Sequence, residues 1–521
     1  MKPTTALSLS FMTLALAGCD HKDSGAAVRR PNVIFIYADD MGKGMISAYG
    51  QPYVQTPHMD QLFRQGMSFT NAYGCMLSAP ARASLLTGYN DCVQDHWRIR
   101  RANRYAVPVA DTSVIAPIEK ELDGTRVQLP AGDFYLPQVF QKAGYTTAQI
   151  GKLEYGFVSS RQEIKDHGWD YYYGYLDHVR CHGFYPPFLF ENGSIVPIEG
   201  NTRANCGKTM EPETPEAYAD RHNLEGKAVY SQDLFLEKIL QFIRDHKDGP
   251  FFLFHPTQLP HGPVSVPEVD PTLEGIPQLT PIEKEYATMV KILDRNIGVI
   301  MDELRALGIE QQTLIIFASD NGHEIYYGQS GRCEKPYKNL TTGQLFDDFT
   351  DKYYSTLSGD VFNGNAGMAG LKRSNLEGGV RVPLSFYWPG HIQPRESHQV
   401  VAMYDLLPTF AQWLGVPLTS AKDGTSLYPL LQTGAAAPSD TALAKDRYVA
   451  FSSYLGPALV RNDGWKLRYY APARTYELYQ LQVDPQERNP LTDQYPDLVA
   501  TLKEQLLREC NGNINNGIYR D

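Results

Sequence analysis

The sequence predicts an α/β fold in which a large mixed, mostly parallel sheet is flanked by helices and followed by a smaller C-terminal α+β subdomain. Two continuous apolar runs, at 31–38 and 313–319, have the β-branched and aromatic composition of strands that are buried on both faces. Between them, helical and strand patterns alternate as they do in a wound sheet. From about Asp446 the chain becomes rich in strands, and it finishes with an amphipathic helix near 497–508.

The length and composition suit this architecture. The chain has 521 residues, of which 42% are hydrophobic and 21% charged, as expected for one large domain over 31–445 and a smaller one over 446–521. The net charge of −11 argues against a nucleic-acid partner, because a surface that follows phosphates needs a basic face. An anionic substrate must therefore be bound by local lysine and arginine side chains and by metal.

The N-terminus has the features of an export signal. Lys2 precedes an apolar run over 6–17 that is too short to span a bilayer, and the run ends in Leu-Ala-Gly-Cys19, which resembles the bacterial lipobox. We therefore predict a lipoprotein signal peptide over 1–18, lipidation of Cys19 and a polar tether over 19–30. The expected location is the bacterial cell envelope, on the outer membrane and facing the periplasm or the surface, with membrane contact through the lipid alone. The sequence does not determine how the six other cysteines pair.

Polar side chains follow both buried runs, at the point where each predicted strand ends. Asp39 and Asp40 follow the first run, and Asp320 and Asn321 follow the second. Ligands of open α/β sheets bind beyond the carboxyl ends of the strands, and carboxylate and amide oxygens suit Ca²⁺ or Mg²⁺. One such pair alone is more often a turn. Because two pairs occur at two such strand ends, we predict that they converge on one divalent cation per chain.

The segment from Ser78 to Gly88 has the layout of a nucleophile at the start of a helix. Ser78 opens the segment, Pro80 stiffens the first turn, Arg82 follows one turn later, and Thr87-Gly88 ends the helix. The free N–H groups at a helix start favour an anion, and Arg82 can hold an oxygen by a forked contact. An ordinary capped helix has much the same pattern, so this layout alone leaves both interpretations open.

The motif Ser78-x-Pro80-x-Arg82, followed by Leu-Leu-Thr-Gly, resembles the signature of the type I sulfatases in its serine form, and similar segments recur along nearly the whole mature chain. The resemblance implies an alkaline-phosphatase-like fold and the hydrolysis of sulfate esters on a sulfated oligosaccharide. It also implies that a maturation enzyme oxidises Ser78 to formylglycine (3-oxoalanine). Cys75 lacks the Pro and Arg at the required offsets, so it is not the expected modification site.

Further site residues are implied by the same resemblance. Lys152, after a predicted strand over 145–150, matches the lysine that grips sulfate, and His261 matches the sulfate-site histidine that gives a proton to the departing alcohol. Lys372, in Gly-Leu-Lys, matches the lysine that contacts both sulfate and the leaving oxygen. The implied metal ligands are Asp39, Asp40, Ser78, Asp320 and Asn321.

One position departs from the family pattern. Many members have histidine two residues after the sulfate lysine, whereas this chain has Glu154, and a carboxylate beside sulfate repels it unless protonated or paired. The segment 95–100 resembles the Gly-His-x-Arg-x-Arg segment of some bacterial sulfatases. We therefore expect His96 to supply the imidazole and Arg98 or Arg100 to face the anion. The alternative for this segment is a basic patch on the surface.

The aromatic segment 169–185 contains His178, Arg180 and His182. Aromatic faces stack on sugar rings, while histidine and arginine bond to hydroxyls, so we predict that these three residues belong to a substrate-binding wall. A zinc site built on the two histidines is the rival interpretation, but no second ligand pair with a recognised spacing follows.

The mechanism implied by the resemblance is covalent catalysis by a hydrated aldehyde at position 78. One hydroxyl attacks sulfur, the alcohol leaves with a proton from His261 or through Lys372, and the other hydroxyl then expels sulfate. Two alternatives remain at this point. One is a phosphatase or phosphonate hydrolase of the same superfamily. A doubly charged phosphate would favour more metal ligands than the single predicted set, which argues against this alternative. The other is a glycan-binding pseudo-enzyme with unmodified Ser78, which Glu154 keeps open although the presence of all the other motif residues argues against it.

Overall fold

The computed structural model describes residues 30–93, 112–123, 129, 132–154, 158–178, 180–202, 223–328, 333–334, 338–339, 342–343, 354, 358–432 and 443–520. The predicted signal peptide and lipidated Cys19 lie outside the described residues, as do His96, Arg98 and Arg100. None of the helices in the described ranges combines the length and apolar composition that a membrane span requires.

The strands, in chain order, are β1 Asn32–Ala38, β2 Met67–Tyr73, β3 Thr146–Gly151, β4 Tyr171–Gly174, β5 Phe188–Glu191, β6 Ser194–Pro197, β7 Phe251–Pro256, β8 Thr313–Ser319, β9 Cys333–Glu334, β10 Lys338–Asn339, β11 Arg381–Val382, β12 Leu384–Tyr387, β13 Arg395–Ala402, β14 Tyr448–Phe451, β15 Ala458–Arg461, β16 Trp465–Tyr470 and β17 Thr475–Gln480. The α-helices within the described ranges are α1 Pro57–Gln65, α2 Ser78–Thr87, α3 Ile115–Asp123, α4 Leu136–Lys142, α5 Arg161–Asp166, α6 Ser231–His246, α7 Pro271–Glu274, α8 Pro281–Ala306, α9 Glu377–Val380, α10 Leu406–Leu414, α11 Tyr428–Leu431 and α12 Pro496–Glu509.

The central sheet has the strand order β11-β2-β12-β8-β1-β7-β3-β4-β5-β6, and β13 also pairs with β2. Its five middle strands, β8-β1-β7-β3-β4, run parallel to one another. The strands β12, β5 and β6 are antiparallel to theirs. The structure thus confirms the predicted mixed, mostly parallel sheet.

The two faces of β1 pack into two different hydrophobic cores. Phe35 and Tyr37 belong to the core that includes side chains of α2, α4 and α10. Ile34 and Ile36, which alternate with them, belong to the core that includes α1, α6 and α8. Because successive side chains of a strand point to opposite faces, a run with both faces buried must be apolar throughout, which is the pattern that predicted this strand.

The parallel pairing brings the carboxyl ends of β8, β1, β7 and β3 to one edge of the sheet. Ala38 lies opposite Ser319 in the register of β1 and β8, so Asp39 and Asp320 follow on adjacent strands. The backbone N–H of Asp320 donates to the carbonyl of Ala38 at 3.2 Å, and that of Asp39 donates to the carbonyl of Leu259 at 3.0 Å. These backbone contacts position Asp39 and Asp320 at this edge.

The C-terminal strands form a second sheet, with the antiparallel order β14-β15-β16-β17. Val449 and Phe451 face the core of the large sheet. Leu467, on the other face of the small sheet, packs with Leu502 and Leu506 of α12. The small sheet is therefore a layer between the large domain and the last helix, as the predicted α+β subdomain requires.

A substitution at the packing of α4 on the sheet should destabilise the fold. The ring of Phe140 stacks on Phe252 of β7 with centroids 3.9 Å apart and lies 4.7 Å from the ring of Phe410 in α10. We expect Phe140→Ala to lower the free energy of unfolding by about 3–5 kcal/mol, measured by urea denaturation. Val483→Ala, at a side chain that is 79% exposed, serves as control and should change it by less than about 0.5 kcal/mol. Equal losses in the two variants would contradict this packing.

Candidate active site

Ser78 is the first residue of α2, where the sequence pattern placed the start of the helix. Its side chain is buried, and its Oγ donates to Asp39 Oδ1 at 2.7 Å and lies 3.4 Å from Asn321 Oδ1. One turn later, the buried guanidinium of Arg82 places Nη2 3.2 Å from Asp320 Oδ2 and 3.5 Å from Asp39 Oδ2. The start of α2 therefore brings the Ser78 hydroxyl and the Arg82 guanidinium to the carboxylates that follow β1 and β8.

The carboxylates of Asp39, Asp40 and Asp320 are fully buried, together with the amide of Asn321. Asp40 has a φ of 62°, a left-handed conformation that aspartate tolerates better than most residues. Its N–H donates to Asp320 Oδ1 at 3.0 Å, and its Oδ1 accepts from Asn321 Nδ2 at 2.7 Å. These contacts gather the oxygens of all four side chains at the carboxyl ends of β1 and β8.

The charges in this cluster shift its proton affinities in opposite directions. Burial, together with the charge of Asp39, raises the pKa of Asp320 to about 7. Burial also acts to raise the pKa of Asp39, but the nearby Lys152, His261 and Arg82 hold that pKa well below its usual range. A divalent cation among these buried oxygens would relieve the repulsion between the carboxylates, and hard oxygen donors are its preferred ligands. The donor set therefore fits Ca²⁺ or Mg²⁺.

Two lysines bring positive charge to the same carboxylates. Lys152 is fully buried and its ammonium pairs with Asp39. The preceding Gly151 has a φ of 137°, and a Cβ there would lie 2.4 Å from the carbonyl oxygen of Pro256, so only glycine fits at this crossing of β3 and β7. The Nζ of Lys372 lies 2.7 Å from Asp40 Oδ2. With Arg82, these lysines make a site suited to a compact oxyanion.

His261 presents one ring nitrogen to the cluster. Its Nδ1 lies 2.5 Å from the carbonyl oxygen of Gly262, which can only accept, so Nδ1 carries a proton. The other nitrogen, Nε2, lies 3.3 Å from Lys372 Nζ and 3.5 Å from Asp40 Oδ2. Nε2 is therefore the atom that can exchange a proton with a bound group. The buried Asp39, Asp40 and His261 also offer ligand atoms within 4.8 Å of one another.

The histidines of the predicted substrate wall adjoin this imidazole. The His182 ring stacks on His261 at 4.2 Å with an angle of 5°, and His178 meets His182 edge-on at 4.4 Å. Burial, with the charge of Lys152 adding to it, holds the pKa of His178 well below its usual range, so that ring is neutral near pH 7. Arg180, by contrast, is buried over the ring of Phe188 at 5.0 Å. The two histidines, rather than Arg180, extend the site from His261.

Glu154, the position that departs from the family pattern, is buried and paired. Its carboxylate accepts from the indole Nε1 of Trp169 and is bonded to Nδ1 of His167. Burial acts to lower the pKa of His167, but the charge and the hydrogen bond of Glu154 outweigh it and raise the pKa above its usual value. The carboxylate is thus compensated by its own partners, which is the condition the sequence analysis set for a glutamate near sulfate.

Two other histidines have structural roles. His255 in β7 is buried, its Nδ1 lies 2.7 Å from the carbonyl oxygen of Ile150, and burial lowers its pKa to about 4. His58 at the start of α1 pairs through Nδ1 with Asp294 of α8 at 2.9 Å. Both histidines therefore contribute to the framework of the fold.

Sequence reasoning missed Tyr326. This buried tyrosine donates its hydroxyl hydrogen to Asp40 Oδ2 and lies 3.4 Å from Lys372 Nζ. It lies five residues after Asn321, in a segment without a regular pattern, so only the tertiary structure brings it to the site. No motif or periodicity in the sequence marks it.

The loop that carries Lys372 is held from two sides. The backbone N–H of Lys372 donates to the carbonyl of His323 at 2.9 Å. From the small C-terminal sheet, Lys466 of β16 places Nζ 2.9 Å from Glu377 Oε1. Arg468 of the same strand donates from Nε to Asn375 Oδ1 at 2.5 Å. The second sheet therefore helps to fix the position of Lys372.

The pairing of Glu154 with His167 should make stability depend on pH. Because the folded-state pKa of His167 is raised, its contribution is fully present below the unfolded value of about 6.5 and is lost as the pH rises through the folded value. We expect His167→Gln to cost about 3 kcal/mol in urea unfolding at about pH 6 and clearly less at about pH 9. His246→Gln, at a histidine bonded to the carbonyl of Phe242, is the control and should show no such trend. A His167→Gln cost independent of pH would contradict the charged pair.

Comparison with known proteins identifies the family of this chain. The sulfatase family profile matches residues 31–416, and the profile for the C-terminal part of N-sulphoglucosamine sulphohydrolase matches 369–511. The N-acetylgalactosamine-6-O-sulfatase of Bacteroides thetaiotaomicron is 28% identical, over 94% of this chain and 96% of its own. Arylsulfatase A of Bos taurus is 27% identical, over 95% and 85%.

The fold is shared with a solved structure as well. Ps i-CgsB in complex with k-i-k-neocarrahexaose has a TM-score of 0.65 at 20% identity, over 94% of this chain and 95% of that one. The sulfatase profile covers well over half of the chain. Within the matched range, the strand-end carboxylates, the start of α2 and the two lysines converge on one site. The chain therefore belongs to the sulfatase family, the sulfuric ester hydrolases of the alkaline-phosphatase-like superfamily.

Proposed function

We propose that this sulfatase hydrolyses sulfate esters of a sulfated oligosaccharide with a formylglycine derived from Ser78 and one Ca²⁺ or Mg²⁺. The observation that carries the proposal is the convergence of Ser78, Arg82, Lys152 and Lys372 on buried carboxylates. Positive side chains at a helix start form a site for an oxyanion, and the nucleophile position lies within it. A sulfate group bound there would meet position 78 directly.

The cation would be held by Asp39, Asp40, Asp320 and Asn321, with the oxygen at position 78 completing the set. When bound, it would lower the pKa of the attacking hydroxyl and offset the charge of the sulfate oxygens. Formylglycine supplies a hydrated aldehyde, whose second hydroxyl allows sulfate to be released, whereas plain serine would stop at a stable ester. The remaining steps belong to the protein's own side chains.

The position of each side chain determines its proposed role. Arg82, which contacts Asp39 as Ser78 does, orients the nucleophile, while Lys152 and Lys372 bind sulfate oxygens. His261, with Nδ1 fixed on Gly262, donates a proton from Nε2 to the oxygen of the departing alcohol. Lys372, 3.3 Å from that nitrogen, can return a proton to it. All these groups are buried, so the electrostatic contacts are little screened by water.

The substrate is proposed to be a sulfated glycan whose sugar ring lies along His182 and His178. These rings continue directly from His261, the proposed proton donor, so the sugar bearing the leaving oxygen would contact them. The names of the relatives support this, since they include a sulfatase of N-acetylgalactosamine. We further propose an exported chain anchored by lipid at Cys19, which rests on the lipobox-like sequence.

The pairing of Glu154 argues against the pseudo-enzyme with unmodified Ser78. A carboxylate facing the sulfate next to Lys152 was the observation that kept that alternative open. Because Glu154 bonds to His167 and Trp169, its charge is engaged within the protein. The anion site of Lys152, Lys372 and Arg82 is thereby left to the substrate.

Mass spectrometry of protein from its native host tests the nucleophile. The tryptic peptide 65–82 should show the loss of two hydrogens localised to Ser78, and the same preparation should release sulfate from members of a panel of sulfated galactose-type sugars. Lys372→Ala should keep the modification but lower kcat at least about 100-fold. Lys238→Ala, which removes a lysine paired with Glu191 outside the site, is the matched control and should leave kcat unchanged. An unmodified Ser78 in active protein would overturn the formylglycine mechanism.

Thermal denaturation with added CaCl₂ or MgCl₂ tests the cation site. An ion that binds only the folded chain stabilises it by about 2.7 kcal/mol when its free concentration is 100 times the Kd, so the Tm should rise with ion concentration. Asp320→Asn should abolish this rise, because it removes a carboxylate from the proposed ligand set. Asp405→Asn, at a buried aspartate bonded to Arg447 away from the site, should keep it. If Asp320→Asn responds like the unaltered protein, the assigned ligands are wrong.

A further inference from the structure

Tyr326 is held in one orientation by its surroundings. Its ring lies 4.8 Å from the His261 ring, and a Cβ on Gly262 would come within 2.1 Å of its Cδ1. The ring thus packs directly on the glycine backbone, which leaves no room for any other residue at position 262. A phenol fixed this firmly directs its hydroxyl to one partner.

That partner is the oxygen of Asp40 that faces the proposed proton donors. Asp40 Oδ2 accepts from the hydroxyl of Tyr326 and from Lys372 Nζ. The other oxygen, Oδ1, faces Asn321, on the side of the proposed metal ligands. One carboxylate therefore links two groups of side chains, and each of its oxygens serves one of them.

The backbone conformation of Asp40 constrains the direction of its carboxylate. Its left-handed φ of 62° gives the side chain a direction that its neighbours must maintain. Lys372 is a flexible side chain on a loop, whereas the ring of Tyr326 is fixed by packing on Gly262. Of the two donors to Oδ2, the tyrosine is the better suited to set the rotation of the carboxylate.

We infer that Tyr326 is a positioning residue, whose hydroxyl orients Asp40 toward the cation and keeps Lys372 beside His261. This inference rests on the proposed function, since it assumes the cation site. By this inference, one tyrosine couples cation binding to His261 and Lys372, the groups proposed to transfer the proton. Hydrogen-bond partners of metal ligands are known to change metal affinity about 10- to 100-fold when removed.

The test is Tyr326→Phe, which keeps the ring on Gly262 and removes only the hydroxyl. The concentration of CaCl₂ or MgCl₂ that gives half of the maximal rise in Tm should increase about 10-fold or more. In formylglycine-containing protein, kcat should fall while KM for an aryl sulfate changes little. Tyr327→Phe is the matched control, because that neighbouring buried hydroxyl bonds to Asp360 at 2.6 Å and His323 at 2.9 Å.

The control separates positioning from packing. A merely structural tyrosine would lower the Tm of the ion-free protein without moving the ion concentration at half effect. Should Tyr326→Phe fail to fold, Tyr326→Met also lacks the hydroxyl, fills the space beside Gly262 with a flexible side chain and should weaken ion binding too. Unchanged ion dependence in the folded variants, or no ion dependence in the unaltered protein, overturns the inference. Ion binding without sulfate release would instead count against the proposed function alone.

Discussion

Burial of three carboxylates at one edge of the sheet is the constraint on which the rest of the site depends. Taking Asp39, Asp40 and Asp320 out of water is costly unless positive charge and hydrogen-bond donors compensate them. The protein brings Arg82 and Lys372 to these carboxylates, and the proposed mechanism assigns the same cations to the sulfate ester. On that proposal, one set of side chains both compensates the protein's own charges and binds the substrate.

A second buried carboxylate shows how this arrangement tolerates variation. Glu154 lies two residues from Lys152, where an unpaired charge would, on the proposed function, compete with substrate for the lysine. The protein instead supplies His167 and Trp169 as local donors, and the charge of Glu154 raises the pKa of His167. The pair of Lys152 with Asp39 and the pair of His167 with Glu154 thus lie near each other in the chain, and each charge has its own partner.

The strand-end site was accessible to sequence reasoning because it depends on local rules. Asp39 and Asp320 each follow an apolar run, and parallel strands present their carboxyl ends at one edge. Lys152 was accessible only through the family motif, since a lysine at a strand end usually signifies a solvated charge. Tyr326 was not accessible, because its contact with Asp40 joins segments 286 residues apart. The partners of Glu154 lie only 13 and 15 residues away, but no periodicity encodes that these two residues turn back on the carboxylate.

The contacts between the C-terminal sheet and the loop at 372–377 have a consequence for biosynthesis. Lys466 and Arg468 leave the ribosome well after Lys372, yet they bind Glu377 and Asn375 in the segment that follows it. During synthesis the segment that begins at Ser78 therefore emerges long before the loop with Lys372 can acquire these supports. A chain that stops short of β16 lacks these contacts. The arrangement of the loop is thus a property of the finished chain and not of its larger domain.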